Sequence, residues 1–496
     1  MNNLLKKYFQ YDCFKDYQLY VIESILRNEN NLVIMPTGSG KSLCYQFPCL
    51  VNKKLTIVIS PLIIIMEQQV EYLNSCNIKS KYYYSNDDTF FLTDMLNYQI
   101  IFITPEKIIN YIDKLQTYKD IIGLFAIDEC HCISEWGYDF RPSYLQLGKI
   151  NKLYPEIPIL ALTATATCKI EQDILKKLNL DITNTNLTQT TIYKKNIKYN
   201  VRIKYDFEHD MNLLYTTEND KQLPTIIYTN TIKNTEKICN YLIDKLNIKC
   251  MNYYSKMDIE MKKEIHNLFI NNQINCLIAT IAYGMGVHKN DVRRVVHYSP
   301  PQSLEQYYQQ TGRAGRDGEF AECILYYNST DFNIYNMKDQ TMLKNMYNYC
   351  CSDICRNKLL LEYFDDNTKI EVCNCDNCEI SVSQNERNVT TELIILLYTI
   401  YKTNEIYGSG TIIDILRGSK RKPLIDKHLD QLETYGKGAH KSVKWWKYFI
   451  TLLQSKYNYI QTDNKYNNIQ IIDKYRKYLY MNYQFDKDIF VKSDIL

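Results

Sequence analysis

The stretch LVIMPTGSGKS, residues 32–42, joins an apolar run to a glycine-rich turn. The apolar run predicts a buried parallel strand, and the residues after the turn predict a helix. Backbone N–H groups at such a helix start favour an anion, so the turn is typical of a phosphate-binding loop. We expect Lys41 to reach the terminal phosphates of a nucleotide and Ser42 to help hold Mg²⁺. Because Met35 replaces the first glycine of the commonest motif, a chance match in a turn is the alternative.

A second apolar run, at 124–127, is followed by the four residues DECH at 128–131. Open α/β sheets bind ligands at the carboxyl ends of their strands. We expect Asp128 to hold Mg²⁺ and Glu129 to orient and deprotonate the water that attacks the γ-phosphate. A plain surface turn is the alternative, but paired acids at a strand end, after a phosphate-binding loop, argue against it.

Apolar strands alternate with helical patterns along two thirds of the chain, which predicts parallel sheets covered by helices on both faces. The predicted strands lie near 32–35, 55–59, 100–103, 124–127 and 157–162, and then near 225–229, 249–253, 275–280, 292–298 and 322–327. We therefore predict an α/β protein with two tandem RecA-like domains. The polar stretch 181–196 is interpreted as the passage between them.

Composition limits the class of protein. A chain of 496 residues with 45% hydrophobic content is long enough for several domains. There is no apolar signal region at the N-terminus and no apolar run of the roughly 18 residues that a membrane span needs, so we expect a soluble intracellular protein without a membrane partner. The net charge is only +3, but residues 381–496 carry +6. This surplus favours a C-terminal nucleic-acid-binding region.

Six of the 17 cysteines lie between residues 350 and 378. In a chain without a secretion signal, a cluster that includes CDNC indicates a tetrahedral Zn²⁺ site and not a disulfide framework. Buried thiols without a metal are the alternative. Four thiolates leave no open coordination position, so the expected role of the zinc is structural.

Several further stretches, taken together with the phosphate-binding loop, DECH and the cysteine cluster, resemble the RecQ family of superfamily 2 DNA helicases. They are FKDYQ (14–18), SPLIIIMEQQV (60–70), TPE (104–106), CISEWGYDFRPSY (132–144), ALTATAT (161–167), IIYTNT (226–231), IATIAYGMGVHKNDVR (278–293) and YYQQTGRAGRDG (307–318). The resemblance extends over nearly the whole chain. Stretch 132–144 is similar to the aromatic-rich loop that links single-strand binding to ATP hydrolysis in this family.

The resemblance implies roles for individual residues. ATP would contact Gln18, Thr37, Gly38, Ser39, Gly40, Lys41 and Ser42. The catalytic set would be Lys41, Asp128, Glu129, His131, Gln309, Arg313 and Arg316, with the two arginines stabilising the developing phosphoryl charge. Mg²⁺ would be held by Ser42 and Asp128. Coupling to DNA would involve Trp136, Phe140, Arg141, Thr163 and Thr165.

The C-terminal third resembles the zinc-binding and winged-helix regions of the same family. This makes Cys355, Cys373, Cys375 and Cys378 the zinc ligands, although Cys350 or Cys351 could replace Cys373. Lys437, Lys441 and Lys444 are candidate contacts to duplex phosphates, with a solvated charged face as the alternative. The stretch 462–472 is the candidate wing, with Tyr466 at its tip.

The predicted division is two RecA-like helicase domains, 1–198 and 199–342, then a zinc-binding subdomain, 343–383, and a winged-helix domain, 384–496. The resemblance implies an ATP-dependent 3′-to-5′ DNA helicase of repair, recombination or replication. Its partners would be single-stranded and duplex DNA, and a single-strand-binding protein or a topoisomerase. It would act in a nucleus, a prokaryotic cytoplasm or a cytoplasmic viral replication site.

Two departures from the family pattern leave other functions open. Gln68 and His288 each occupy a position where the family normally has Asp. A DNA-stimulated ATPase, a translocase or a DNA-binding scaffold with weak unwinding is therefore one alternative. An RNA helicase is another, because many superfamily 2 proteins share the two-domain ATPase.

Overall fold

The computed structural model describes residues 1–84, 91–134, 140–280, 289–332, 340–380, 386–455, 457, 459–463, 468–479 and 490–492. Trp136, His288 and Tyr466 therefore lie outside the described residues. Within the described part of the chain, no helix combines the length and the apolarity needed to cross a bilayer.

The first sheet is built from parallel strands in the order β3-β4-β2-β5-β6-β1-β7. These strands are β1 (Asn30–Ile34), β2 (Leu55–Ile59), β3 (Ser80–Tyr83), β4 (Ile100–Ile103), β5 (Ile122–Ile127), β6 (Ile159–Thr163) and β7 (Thr185–Gln189). The helices around it are α1 (Asn2–Phe9), α2 (Asp16–Leu26), α3 (Lys41–Gln46), α4 (Pro48–Asn52), α5 (Ile63–Ser75), α6 (Phe91–Asp94), α7 (Pro105–Ile109), α8 (Lys149–Leu153) and α9 (Cys168–Lys177). Strands β2, β4 and β5 are buried along their whole length, as parallel strands covered on both faces should be.

The second sheet is also parallel, in the order β10-β11-β9-β12-β13-β8. Its strands are β8 (Ile197–Ile203), β9 (Thr225–Tyr228), β10 (Cys250–Tyr253), β11 (Cys276–Ala279), β12 (Arg294–His297) and β13 (Ala321–Tyr327). Its helices are α10 (Phe207–Leu214), α11 (Glu218–Gln222), α12 (Ile232–Leu246), α13 (Ile259–Ile270) and α14 (Leu304–Thr311). The predicted pair of tandem parallel-sheet domains is confirmed.

The stretch 181–196, predicted to be the passage between the two domains, also contains a strand. Residues 185–189 form β7, which pairs in parallel with β1 from Asn30 to Ile34. Four of its five side chains are polar, and none is fully buried because β7 is an edge strand, so it lacks the apolar run that identifies inner strands. The connection itself is therefore short and runs from residue 190 to residue 196.

The C-terminal region is mostly helical. Its helices are α15 (Gln340–Cys351), α16 (Arg356–Tyr363), α17 (Asp376–Ile380), α18 (Thr390–Lys402), α19 (Ser409–Leu416), α20 (Lys422–Ile425) and α21 (Val443–Ser455). Strands β14 (Glu386–Asn388) and β17 (Phe490–Lys492) pair antiparallel, as do β15 (Ile460–Thr462) and β16 (Ile469–Ile471). The β15–β16 pair lies at the predicted wing. The buried Trp446 and Phe449 of α21 pack with α18 and α19 into one separate core. The predicted boundaries between the four regions stay predictions.

Candidate functional site

The phosphate-binding loop has the backbone that its glycines predict. Gly38 and Gly40 have φ angles of +84° and +95°, a backbone conformation that residues other than glycine rarely adopt. Lys41 begins α3, and its Nζ donates to the carbonyl oxygen of Met35 at 2.7 Å. The lysine therefore folds back over the loop.

Residues of the N-terminal motif pack directly on this loop. Gln18 is buried, and its Nε2 donates to the carbonyl oxygen of Gly40 at 3.1 Å. The hydroxyl of Tyr17 donates to the carbonyl oxygen of Ser39 at 2.8 Å. The φ of Gly40 requires glycine, and a Cβ atom there would lie 2.5 Å from Gln18 Nε2, so any other residue would also displace the Gln18 side chain. The segment FKDYQ, whose Gln18 was predicted to contact ATP, and the predicted phosphate-binding loop thus form one unit.

The two acidic residues lie where β5 ends. Asp128 N donates to the carbonyl oxygen of Ile59 on β2, and the Tyr144 hydroxyl donates to the carbonyl oxygen of Asp128 at 3.0 Å. Glu129 has a φ of +50°, so the chain turns sharply there. Such strain at a residue of this type is characteristic of functional sites, where the surroundings hold it.

A chain of contacts leads from Glu129 to β6. His131 is buried, and its Nδ1 lies 3.2 Å from Glu129 Oε2 and 3.0 Å from Thr163 Oγ1. The Thr163 hydroxyl donates to the carbonyl oxygen of Thr165 at 3.0 Å. The predicted catalytic base, Glu129, and the predicted coupling residues Thr163 and Thr165 are therefore joined through one imidazole ring.

Burial and mutual charge shift the ionisation of this group. Burial and the charge of Glu129 raise the pKa of Asp128. Burial alone would raise the pKa of Glu129, but the hydrogen bond and charge of His131, with Lys41 and Arg313, lower it. Burial likewise opposes charge on His131, yet Cys132 and Glu129 raise its pKa well above the ordinary value. Of the two neighbouring carboxyls, Glu129 is therefore the one held ionised, which is what a general base requires.

The lysine of the loop belongs to the same electrostatic group. Burial lowers the pKa of Lys41, while the charges of Glu129 and Asp128 raise it and that of Arg316 lowers it. Arg316 lies between α14 and β13, in the region of the second sheet. Its charge therefore reaches the phosphate-binding loop, which belongs to the first sheet.

The segment GRAGR, residues 312–316, brings Arg313 and Arg316 to the phosphate-binding loop. A Cβ atom on Gly38 would lie 3.5 Å from Arg316 Cγ. Arg313 is buried, and its Nε and Nη1 have no hydrogen-bond partner among the described residues. Gln309 is also buried, on α14. Unpaired buried guanidinium N–H groups are costly unless an acceptor reaches them, and phosphate oxygens are suitable acceptors.

Lys194 is a site residue that the sequence analysis missed. It lies in the short connection between β7 and β8, and its Nζ donates to the carbonyl oxygens of Thr37 at 3.1 Å and Gly312 at 3.3 Å. The sequence offers no signal for it, because the neighbouring Lys195 has the same side chain and is exposed.

The described part of the aromatic-rich loop lies near the turn that carries Asp128 and Glu129. Arg141 Nη1 donates to the carbonyl oxygen of Pro61 at 3.1 Å, and Lys177 Nζ lies 5.8 Å from the centre of the Phe140 ring. Arg141 N donates to the carbonyl oxygen of Cys132, close to the turn formed by Asp128 and Glu129. The role predicted for Trp136 is outside the described residues.

Gln68, one of the two departures, contacts the second sheet region. Its Nε2 lies 3.0 Å from His266 Nε2, and the adjacent Glu67 pairs with Lys263 at 2.8 Å. Burial lowers the pKa of His266, so the neutral ring accepts this hydrogen bond. Helices α5 and α13 are thus joined by a neutral contact and an ion pair.

The four predicted zinc ligands come together. The Sγ atoms of Cys355, Cys373, Cys375 and Cys378 all lie within 4.8 Å of one another. Thiolates around one Zn²⁺, at Zn–S distances of about 2.3 Å, lie roughly 3.8 Å apart, so the donor set fits zinc. Backbone N–H groups also point to the sulfurs, Arg356 N to Cys375 at 3.4 Å and Cys375 N to Cys373 at 3.4 Å.

Two of the three lysines predicted to contact duplex phosphates make internal ion pairs. Lys444 pairs with Asp206 at 3.0 Å, which joins α21 to the second sheet region. Lys441 pairs with Glu392 at 3.3 Å and lies over the Trp445 ring. Lys437 is exposed. These contacts support a structural role for Lys441 and Lys444 in the described conformation.

Four family models match consecutive parts of the chain. They are the DEAD/DEAH box helicase model at 15–174, the helicase conserved C-terminal domain at 206–318, the RecQ zinc-binding model at 328–379 and the RQC domain at 383–492. Their order follows the two sheets, the cysteine cluster and the C-terminal helical region.

Solved structures of helicases share the fold. The chain aligns with Mss116p bound to single-stranded RNA and AMP-PNP at a TM-score of 0.56 and 16% identity, covering 87% of this chain and 92% of that one. It aligns with the Mycobacterium smegmatis helicase Lhr, bound to single-stranded DNA and AMP-PNP, at 0.55 and 14% identity, covering 96% of this chain and 61% of that one.

Sequence relatives are more specific. The chain is 36% identical to the mouse bifunctional 3′-5′ exonuclease/ATP-dependent helicase WRN over 90% of its own length but only 34% of that protein. It is 37% identical to the putative ATP-dependent RNA helicase R290 of Acanthamoeba polyphaga mimivirus, over 90% of this chain and 85% of that one. It is 34% identical to the ATP-dependent DNA helicase RecQ of Haemophilus influenzae, over 91% of this chain and 75% of that one. With its two sheets, its nucleotide cleft and its cysteine cluster, this chain belongs to the RecQ family of superfamily 2 helicases.

Proposed function

We propose that this chain is an ATP-dependent DNA helicase that moves 3′ to 5′ along one strand and separates the duplex ahead of it. The observation that carries this proposal is the meeting of Lys41, Glu129, Arg313 and Arg316 in one cleft between two parallel sheets. Phosphate-binding groups and the catalytic carboxylate come from one sheet region, and the arginines come from the other. ATP binding and release can therefore move the two regions relative to each other.

The residues have distinct roles in this proposal. Ser42 and Asp128 would hold Mg²⁺, which would supply positive charge beside the transferring phosphoryl group. Glu129, kept ionised by His131, accepts a proton from the attacking water. Arg313 and Arg316 donate to the phosphoryl oxygens as negative charge develops there.

Strand binding reaches this site through β6. A shift of the Thr163–Thr165 turn changes the hydrogen bond to His131, and His131 holds Glu129. Contact of DNA with that turn, or with the loop around Phe140 and Arg141, would therefore change the orientation of the catalytic carboxylate. The zinc cluster and the winged-helix region would then support and orient the duplex, in DNA repair, recombination or replication.

Two other functions have specific observations in their favour. The mimivirus relative is named a putative RNA helicase, so RNA is a competing substrate. The Gln68–His266 contact, at a position where the family has Asp, favours an ATPase or translocase with weak strand separation. The zinc-binding and RQC regions favour DNA over RNA.

Steady-state ATPase assays with single-stranded DNA and with RNA of the same sequence distinguish these substrates. We expect strong stimulation by DNA and little by RNA in the native protein. Lys41→Met should lose hydrolysis with either strand while still binding DNA, because Lys41 contacts phosphate and not the strand. Stronger stimulation by RNA would contradict the DNA assignment. A single-strand-binding protein or a topoisomerase, the proposed protein partners, would be tested by adding each to the unwinding reaction.

A further inference from the structure

Lys194 connects two segments that must be aligned for hydrolysis. Its ammonium group donates at once to Thr37 O, in the phosphate-binding loop, and to Gly312 O, in the turn that carries the arginines. Gly312 directly precedes Arg313. The position of Arg313 along the cleft is therefore fixed, through one side chain, to the loop that holds the phosphates.

The two segments are close-packed at this point. A Cβ atom on Gly312 would lie 3.6 Å from Thr37 Cβ, and a Cβ atom on Gly38 would lie 3.5 Å from Arg316 Cγ, both ordinary van der Waals distances. Gly312 itself is buried at the end of α14. The lysine reaches in from the connection and bonds to backbone oxygens of both segments.

The surroundings of Lys194 are cationic. Burial and the charges of Arg316 and Lys41 lower the pKa of Lys194 to about 8. Burial raises the pKa of the nearby Cys323, so that thiol stays neutral and supplies no opposing charge. Several cations held this close together repel one another, and a polyphosphate between them would relieve that repulsion.

We propose that Lys194 is a positioning residue for ATP hydrolysis, which holds the arginine-bearing turn against the phosphate-binding loop. This inference rests on the proposed function, since it assigns the alignment of Arg313 and Arg316 in that same reaction. The two hydrogen bonds of Lys194 go to backbone oxygens, so Lys194 acts on the position of the arginines and not on the substrate directly. Misplacing a catalytic group by about 1 Å can cost roughly 10²-fold in rate.

The test compares Lys194→Met, Lys194→Arg and the control Lys195→Met, which changes an exposed neighbour. DNA-stimulated kcat, the KM for ATP and the affinity for ADP are measured for each. We expect Lys194→Met to lower kcat by about ten- to a hundredfold, with KM and ADP affinity within about threefold of the native values. Lys194→Arg should recover a large part of kcat, because a guanidinium can also donate to two carbonyl oxygens. Lys195→Met should behave as the native protein.

The pH profile provides a readout that a purely structural role would not move. The charged form of Lys194 is the bridging form, and it is lost as pH rises through about 8. The kcat/KM of the native protein should therefore fall above that pH. In Lys194→Arg, which stays protonated, the fall should move to higher pH.

The outcomes separate the two proposals. A native protein without ATPase activity would contradict the proposed function itself. A native protein that hydrolyses ATP, with Lys194→Met unchanged or with Lys195→Met equally impaired, would overturn only the role of Lys194. Lys194→Met could fail to fold, which zinc content and binding to single-stranded DNA would reveal. In that case the role of Lys194 would be overturned if kcat/KM of Lys194→Arg falls at the same alkaline pH as that of the native protein.

Discussion

Replacement of His131 tests the internal electrostatics of the site. Its imidazole lies between Glu129 Oε2, at 3.2 Å, and Thr163 Oγ1, at 3.0 Å, and is almost wholly buried. His131→Asn puts an uncharged and shorter side chain in its place. Glu129, which is largely shielded from solvent, then loses the imidazolium group that lies 3.2 Å from its Oε2.

The size of the effect follows from these contacts. A hydrogen bond to a charged group contributes about 1.5–3 kcal/mol. A loss of about 2 kcal/mol corresponds to roughly 1.5 pKa units. It also corresponds to roughly thirtyfold in rate if all of it is felt at the transition state. We therefore expect DNA-stimulated kcat to fall about thirtyfold.

The direction of the pH effect is also fixed. In the native protein the pKa of Glu129 is lowered, so the carboxylate is ionised throughout the neutral range and is lost only as pH falls below its ordinary value. In His131→Asn the pKa of Glu129 rises, so the acid limb of the kcat profile should move toward neutral pH.

The assay is steady-state ATP hydrolysis with saturating single-stranded DNA between pH 5 and pH 9. His209→Asn is the matched control, because this half-exposed histidine lies on α10 beside the second sheet and is not one of the predicted site residues. A kcat within about threefold of native with an unmoved acid limb, in a variant that still binds DNA and zinc, would refute the reasoning.

Three further substitutions test other parts of the account. Arg313→Ala should lower kcat by about 10³-fold or more with little change in DNA binding, as expected for an arginine that stabilises phosphoryl charge. Single-turnover hydrolysis measures this loss, and a loss of less than tenfold would contradict the role. Cys375→Ser should reduce bound zinc, measured by atomic absorption, and lower the thermal midpoint of the C-terminal region, whereas full zinc content would exclude Cys375 as a ligand. Gly40→Ala should destabilise the loop by about 1–3 kcal/mol through its φ of +95° and the contact with Gln18, seen as a lower urea midpoint and weaker ADP binding; unchanged values for both would contradict it.

The inner strands and the phosphate-binding loop were predictable from sequence because each has a strong local signal. Fully buried parallel strands such as β2 and β5 give continuous apolar runs, and the loop needs glycine at fixed positions. The edge strands β3 and β7 gave no such signal, since neither has a continuous run of buried apolar side chains. Residues 185–189 were therefore assigned to a connection although they extend the sheet beside β1.

Side-chain contacts between the two sheet regions were not predictable. Lys194 and Lys195 are identical in type and adjacent in sequence, and only the folded connection places one between Thr37 and Gly312. The same holds for Gln68, whose partner His266 is distant in sequence. The zinc cluster was predictable because its cysteines are close together along the chain, and the structure brings together the four that were chosen.

The most direct test of the central claim is unwinding of a partial duplex with a 3′ single-stranded tail, beside an identical duplex with a 5′ tail, in ATP and Mg²⁺. The account predicts separation of the 3′-tailed substrate, none of the 5′-tailed substrate, and no activity in Lys41→Met. Separation of the 5′-tailed substrate alone would contradict the proposed polarity. Intact DNA-stimulated hydrolysis without separation of either duplex would contradict the helicase assignment and favour a translocase.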